Sequence, residues 1–587
     1  MKKTTITFLV SALLLISGLQ AQTVQDGKNH LFAQRYNSAV STFEKMLATN
    51  PNNIEAIYWL GQTYLESEEI MAARIATTRQ LYEKAMQSTN SAPLVIVGMG
   101  HLDLLDNKTS DARQKFETAL TMTRTKKGDN LDIVNAVGRA NTEAKSGDFN
   151  YAIEKLQVAT DKGEKNAETF VLLGNAYRKA RPGEGGGEAF RNYKKALELN
   201  PNFSLASLRL AKLFESQKNW ELVLQYLNDA TAKDPKFTAA YFELFYYYFY
   251  RLDYPSAEAQ LQKYIESKLP EKDVQDEFLY SQLCWARKDH NCATTRAESV
   301  VAALGSKTKP KVYRLLADAY FQKGDFANAK KYSDEFFAKK NPDDYISYDH
   351  KLRADIMSKT GGTTDEIFFN YLQGSVLDTV LSSKIDFLKQ GAEFFKAKGD
   401  SVSRIREGDL RLEVVKLKGE KANQRDFFDA GFAYYQGKNY EKADSIFDVY
   451  TVKYPDEVYG PMMQYNIHRA LDSTMEKGMA VPWAEKYLVI LEKDTAKNKK
   501  TIIGVASYLA SYHANIAKDK EKALEYLRKM LVLDPTNEVI KNNISVLEKA
   551  PANKPPAPAK GGAQPAKTGN PKPSAKAAIS KEIPIKT

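Results

Sequence analysis

The stretch NAETFVLLGNAYRKARPGEGGGEAFRNYKKALELNPNF, residues 166–203, holds two apolar stripes at helical spacing, parted by a glycine-rich turn. In the first stripe Leu173 and Gly174 are followed by Tyr177. In the second, Ala189 is followed by Tyr193, Ala196 and Pro201. The proline cannot continue a helix and sets a turn into whatever comes next. The series then recurs as Leu210-Ala211, Phe214, Val223, Leu227, Ala230 and Pro235, with Pro235 lying 34 residues after Pro201. It recurs again around Leu60-Gly61-Tyr64, Leu316-Ala317-Tyr320 with Ala329, and Gly431-Tyr434 with Ala443, Phe447 and Pro455. Ala39-Phe43-Pro51 and Ala523-Leu527-Pro535 are its first and last traces. Each unit is a pair of helices with one apolar stripe apiece, and one pair cannot bury its own stripes, so the pairs must stack. The small residue at Gly174 or Ala211 is expected to let the two helices of a pair approach, with Ala189 facing it.

This series resembles the tetratricopeptide repeat, whose signature is W-x2-L-G-x2-Y…A-x3-F…P at a period of 34 residues. The resemblance implies an all-α solenoid, a right-handed superhelix of stacked hairpins whose first helices line a concave groove for a protein or peptide. It is strong over residues 52–345 and 426–540. The run DSTMEKGMAVPWAEKYLVILEKD followed by KALEYLRKMLVLDPTN is similar to exported repeat proteins of gram-negative bacteria. The expected organisation is a signal peptide over 1–21, a first array over 22–344, degenerate hairpins over 345–425, a second array over 426–550, and a disordered tail over 551–587.

Residues 239–255 read AAYFELFYYYFYRLDYP, and eight of the ten residues from Tyr241 to Tyr250 are aromatic. In the repeat frame Tyr241, Leu244, Phe245, Tyr248, Tyr254, Ala257, Leu261 and Tyr264 occupy core slots. Phe245 stands where Gly or Ala is usual, so the hairpin should open unless Ala257 makes room. The resemblance puts frame positions 5, 9, 12 and 13 on the groove. Phe242, Tyr246, Phe249 and Tyr250 fall there, and Phe278, Trp285 and Phe321 continue the face on the next hairpins. These seven rings are the expected partner-binding wall, because exposed aromatics anchor interfaces. The alternative is that they pack against neighbouring helices. Arg139, Arg178, Lys179 and Arg314 are basic residues at groove-facing positions, read as solvated surface charge.

The ends add a compartment. Lys2 and Lys3, an apolar run from Ile6 to Leu19 and then Gln20-Ala21-Gln22 have the layout of a secretory signal peptide, with cleavage expected between Ala21 and Gln22. That places the mature chain in the periplasm, with outer-membrane association left open. The net charge of +11 does not imply nucleic-acid binding. Seven lysines lie in the tail from Pro551 to Thr587 with eight prolines and no aromatic ring, a composition that cannot bury enough surface to fold. The body is nearly balanced.

Little in the sequence points to catalysis. The six histidines are scattered and none forms an H-x3-H pair. Gly305-Ser306-Lys307-Thr308 lacks the earlier glycine of a phosphate loop. No cofactor or metal is expected. Cys284 and Cys292 straddle the turn of one hairpin, and an exported compartment permits a disulfide between them, while two buried small apolar residues are the alternative. The function expected is a non-catalytic exported scaffold for a protein partner in envelope assembly or secretion. A periplasmic holdase for unfolded chains and, more distantly, a carbohydrate-uptake binding protein are the alternatives.

Overall fold

The computed structural model describes residues 23–67, 71–271 and 273–549. Ala21, Gln22 and the tail 551–587 lie outside the described residues. Contacts between Cα atoms divide the chain into two compact units. One reaches to Tyr345 and includes Asp355–Gly361; the other holds Ile346–Ala354 and the chain from Gly362 on.

In the first unit the helices are α1 (Val24–Phe32), α2 (Tyr36–Thr49), α3 (Ile54–Glu66), α4 (Met71–Ser88), α5 (Pro93–Leu105) and α6 (Thr109–Thr123). There follow α7 (Leu131–Glu143), α8 (Phe149–Asp161), α9 (Ala167–Ala180), α10 (Gly186–Leu199), α11 (Ser204–Ser216) and α12 (Trp220–Lys233). The unit continues with α13 (Thr238–Phe249), α14 (Tyr254–Lys268), α15 (Gln275–Ala286), α16 (His290–Leu304), α17 (Pro310–Gln322) and α18 (Phe326–Lys339). Each odd-numbered helix pairs with the even one after it, giving nine hairpins. The helix α19 (Ser347–Thr360) follows. The second unit carries α20 (Thr364–Leu377), α21 (Leu381–Lys398), α22 (Ser401–Lys418), α23 (Gln424–Gln436), α24 (Tyr440–Lys453) and α25 (Tyr459–Leu471). It ends with α26 (Val481–Leu491), α27 (Thr495–Asn515), α28 (Lys520–Leu533) and α29 (Glu538–Lys549). Among the described residues there is no strand, only a single β-bridge between Thr125 and Gly128.

The repeat signature is written in ring contacts. A Cβ on Gly174 would stand 2.5 Å from the Tyr193 ring, one on Gly100 2.5 Å from Phe116, and one on Gly431 2.7 Å from Phe447. The glycine of the first helix is therefore the seat of the second helix's aromatic ring. Phe245 inverts this pair. It is fully buried with Ala257 and Leu261, so the ring has moved to the first helix and an aliphatic side chain has moved to the second. Ala257 makes the room that the expectation required, and the total volume at the contact is kept.

The turn inside a hairpin has its own code. Leu252, Lys288, Gly324, Lys438 and Lys518 take positive φ. The next residue, Asp253, Asp289, Asp325, Asn439 or Asp519, then caps the second helix through its side chain. Each such cap contributes about 1 kcal/mol and ends one helix where the next begins.

Candidate functional site

The first helices supply the inner face of the first unit, and over its early hairpins that face closes on itself. Lys28 of α1 donates to Glu168 of α9 at 2.6 Å, and Arg139 of α7 donates to the same carboxylate at 2.9 Å. Arg139 also reaches Glu66 of α3 at 3.5 Å. Phe32 meets the rings of Trp59 and Phe203, each at 6.2 Å, and the Arg139 guanidinium lies 4.9 Å from the Trp59 ring. At the edge of the same face the Ala239 amide donates to the Ala33 carbonyl at 3.2 Å. The Ser38 amide donates to Glu271 at 2.8 Å. What remains inside is a cavity of about 50 Å³ bounded by Phe32, Glu66, Arg139, Glu168, Leu208 and Arg209, with no room for a peptide.

Burial sets the ionisation of this cluster. It pushes Glu66 up to about 7 against the pull of Arg139. Glu168 is held below the usual carboxylate range, because Arg139 and Lys28 together outweigh its own burial. His101 of α5, hydrogen-bonded through Nδ1 to Gln62 at 3.1 Å, is pushed down to about 4 by burial. Arg139 is thus not solvated surface charge: only 6 % of the residue is exposed. Arg178 is half-buried and donates to the Lys212 carbonyl at 3.0 Å, and Lys179 donates to the Thr142 carbonyl.

The expected ring wall begins where this closure ends, and the structure thins it. Phe278 is 2 % exposed and belongs to the core, because α17 covers it and places the Lys311 ammonium 4.8 Å from its ring. Phe242, Tyr246 and Phe249 are half-buried. Phe242 packs on Tyr264 at 5.6 Å and Phe249 on Tyr254 at 6.0 Å. The Tyr246 hydroxyl donates to Gln282 of the next hairpin at 3.1 Å. Phe321 is half-buried against Phe326 at 5.5 Å. The open members are Tyr250, 73 % exposed and stacked on Tyr246, and Trp285, 36 % exposed. Trp285 adjoins a covalent staple: Cys284 at the end of α15 and Cys292 at the start of α16 are disulfide-bonded, with Cα atoms 5.7 Å apart.

Sequence reading missed a second set of rings. Counting from Gly431 as position 8, Phe428, Phe432 and Tyr435 hold positions 5, 9 and 12 of α23. Phe428 and Phe432 stack at 5.5 Å, Phe432 and Tyr435 at 6.3 Å, and Phe428 meets Tyr459 at 5.4 Å. The frame applied to Tyr241–Tyr250 would have found them; their density is lower, so they drew no notice. Among the described residues no group of three His, Cys, Asp or Glu side chains could hold a metal ion. No described helix is long and apolar enough to cross a membrane.

Family models of the tetratricopeptide repeat match residues 42–75, 310–336 and 427–457. No curated protein matches the chain. Among solved structures, the C-terminal part of a TPR repeat-containing protein from Cytophaga hutchinsonii is 25 % identical over 46 % of this chain and 99 % of its own, with a TM-score of 0.25. A tetratricopeptide repeat protein from Parabacteroides merdae is 19 % identical over 44 % of this chain and 97 % of its own, with a TM-score of 0.35. Pseudomonas aeruginosa pilF is 18 % identical over 36 % of this chain and 91 % of its own, with a TM-score of 0.31. With three matched segments, glycine seats filled by rings and stacked hairpins in both units, the chain is a tetratricopeptide repeat protein.

Proposed function

We propose that this chain is an exported scaffold that holds a protein partner on the ring face of its seventh to ninth hairpins. Tetratricopeptide repeats are interaction modules, so a protein-binding scaffold is the general role. The observation that carries the finer reading is a contrast along one face. Groove positions of the first, second, fourth and fifth hairpins are spent on the contacts of Lys28, Phe32, Trp59, Arg139 and Glu168. In the seventh and eighth, Tyr250 and Trp285 stay open. Exposed Tyr and Trp are the side chains most enriched among binding hot spots. Export is supported by the basic and apolar start of the sequence and by the Cys284–Cys292 bridge, a bond that persists in oxidising compartments.

The test is partner recovery after cross-linking in cells, run with Tyr250→Ala and Trp285→Ala and paired with thermal melting. Both side chains are open, so melting is expected to hold while a single stoichiometric envelope partner is lost. Recovery of many unfolded outer-membrane chains instead would make the protein a holdase. Unaltered recovery from both variants would remove the ring face from the reading. The intact mass of the exported protein tests cleavage between Ala21 and Gln22.

A further inference from the structure

One end of the fourth hairpin lies between two turns of related sequence. Lys127-Gly128-Asp129-Asn130 leads into α7, and Lys162-Gly163-Glu164-Lys165-Asn166 leads out of α8 into α9. In each turn the glycine takes positive φ and the asparagine side chain caps the helix that follows. Between the turns is a cavity of about 370 Å³, with Lys127, Lys155, Lys162 and Lys165 around it and Leu131, Val134 and Val158 beneath. Gly128 leaves space for one of these heads, since a Cβ there would stand 2.8 Å from the Lys162 ammonium.

Charge in this cavity does not balance. Asp129 is taken by Arg124 at 2.5 Å, and Lys155 by Glu117 at 3.1 Å and Glu154 at 3.3 Å. The Glu164 carboxylate accepts from the amides of Lys165 and Asn166 at 2.8 and 2.9 Å. Lys127, Lys162 and Lys165 pair with no carboxylate among the described residues. Three ammoniums thus stand against one carboxylate, an excess of two positive charges. A phosphomonoester is close to a dianion at neutral pH and offers three acceptor oxygens, whereas a single carboxylate would leave one ammonium unmatched. Lysine binds phosphate as a point charge on a flexible stem, so several can converge on one group. The cavity has the size of a small-molecule site, more than a bare phosphate fills, and its floor is apolar. We propose that this cavity binds a phosphomonoester carried on a larger, part-apolar body, either free or as the headgroup of a lipid. The site shares no residue with the ring face, so it stands or falls apart from the function read there.

Two binding measurements on the intact protein, both at low ionic strength, test this. Calorimetric titration compares adenosine monophosphate, a soluble phosphomonoester, with adenosine. Sedimentation with phosphatidylcholine vesicles compares added phosphatidate, a lipid phosphomonoester, with added phosphatidylglycerol, a phosphodiester. Saturable binding of adenosine monophosphate but not adenosine supports the proposal with a soluble ligand. Sedimentation that prefers phosphatidate supports it with a lipid. In either case Lys127→Gln with Lys162→Gln should weaken binding by about tenfold or more, since two charged contacts are lost. Lys45→Gln with Lys84→Gln removes the same charge from other exposed positions and should leave binding unaltered. All four side chains are exposed, so melting is expected to hold in both double variants. Absence of saturable adenosine monophosphate binding together with no preference for phosphatidate overturns the proposal. Equal weakening by the two double substitutions also overturns it, because general surface charge then accounts for the binding.

Discussion

The Lys28 ammonium lies 2.6 Å from the Glu168 carboxylate, though the two residues are 140 positions apart in the chain. A repeat stack has few such contacts, since each hairpin normally touches only its neighbours. This one ties the first hairpin to the fifth and turns a groove into an interior. It gains from Arg139, which shares Glu168 and has 7 % of its side chain exposed.

Arg139→Met leaves Glu66 with only the pull of Arg209 and Glu168 with one partner in place of two. Breaking a buried pair from one side costs roughly 3–5 kcal/mol. Urea denaturation is expected to show this loss in the first unit only, as a separate earlier transition, because repeat arrays need not unfold in one step. The double substitution Arg139→Met with Glu168→Met should recover only part of it, since Arg139 and Glu168 go together but Lys28 and Glu66 each lose a partner.

Stability should respond to pH through two groups of opposite sign. His101 is lowered to about 4 from the ordinary 6.5, so the fold favours the neutral ring. Its contribution is intact above pH 6.5 and is lost as pH falls towards 4, by roughly 3 kcal/mol at about 1.4 kcal/mol per pH unit. Glu66 is raised to about 7 from 4.5, so the fold favours its protonated form. Its contribution is present below pH 4.5 and is lost as pH rises towards 7. Melting temperatures from pH 4 to 8 should therefore show Glu66→Gln gaining on the unaltered protein as pH rises. A gap that does not change with pH would remove Glu66 as the titrating group.

The ring seats predict which glycines tolerate a methyl group. Gly174→Ala and Gly431→Ala push a Cβ into Tyr193 and Phe447 and should each cost about 1–3 kcal/mol, the usual cost of overpacking. Gly504 in α27 has nothing within 4 Å of its added Cβ. There Gly504→Ala should stabilise by up to about 1 kcal/mol, from helix propensity alone. Circular dichroism melts of the three variants give the contrast.

Replacing both Cys284 and Cys292 by Ser should weaken the eighth hairpin by about 2–3 kcal/mol, the loop-closure entropy of so short a ring. Amide exchange across α15 and α16 should accelerate while that of the first four hairpins does not. Thiol labelling of the unreduced, unfolded protein should find no free thiol.

How much of this was legible in the sequence follows from the range of each interaction. The all-α repeat was, because its causes lie within a few turns of helix. Gly174 seats Tyr193 within the same hairpin, and Asp289 caps the helix that begins at the next residue. Local periodicity determined these. The inner face was legible as a set of positions, and Phe428, Phe432 and Tyr435 could have been read from that frame as readily as Tyr246. Whether such a position meets solvent, a ligand or another hairpin was decided only by the superhelix. Small rotations between successive hairpins add up until α1 stands against α9 and α13. A rotation of a few degrees is set by how many side chains pack at every interface, so no single motif records it. That sum buries Arg139, hides Phe278 under α17, and leaves Tyr250 and Trp285 open to solvent.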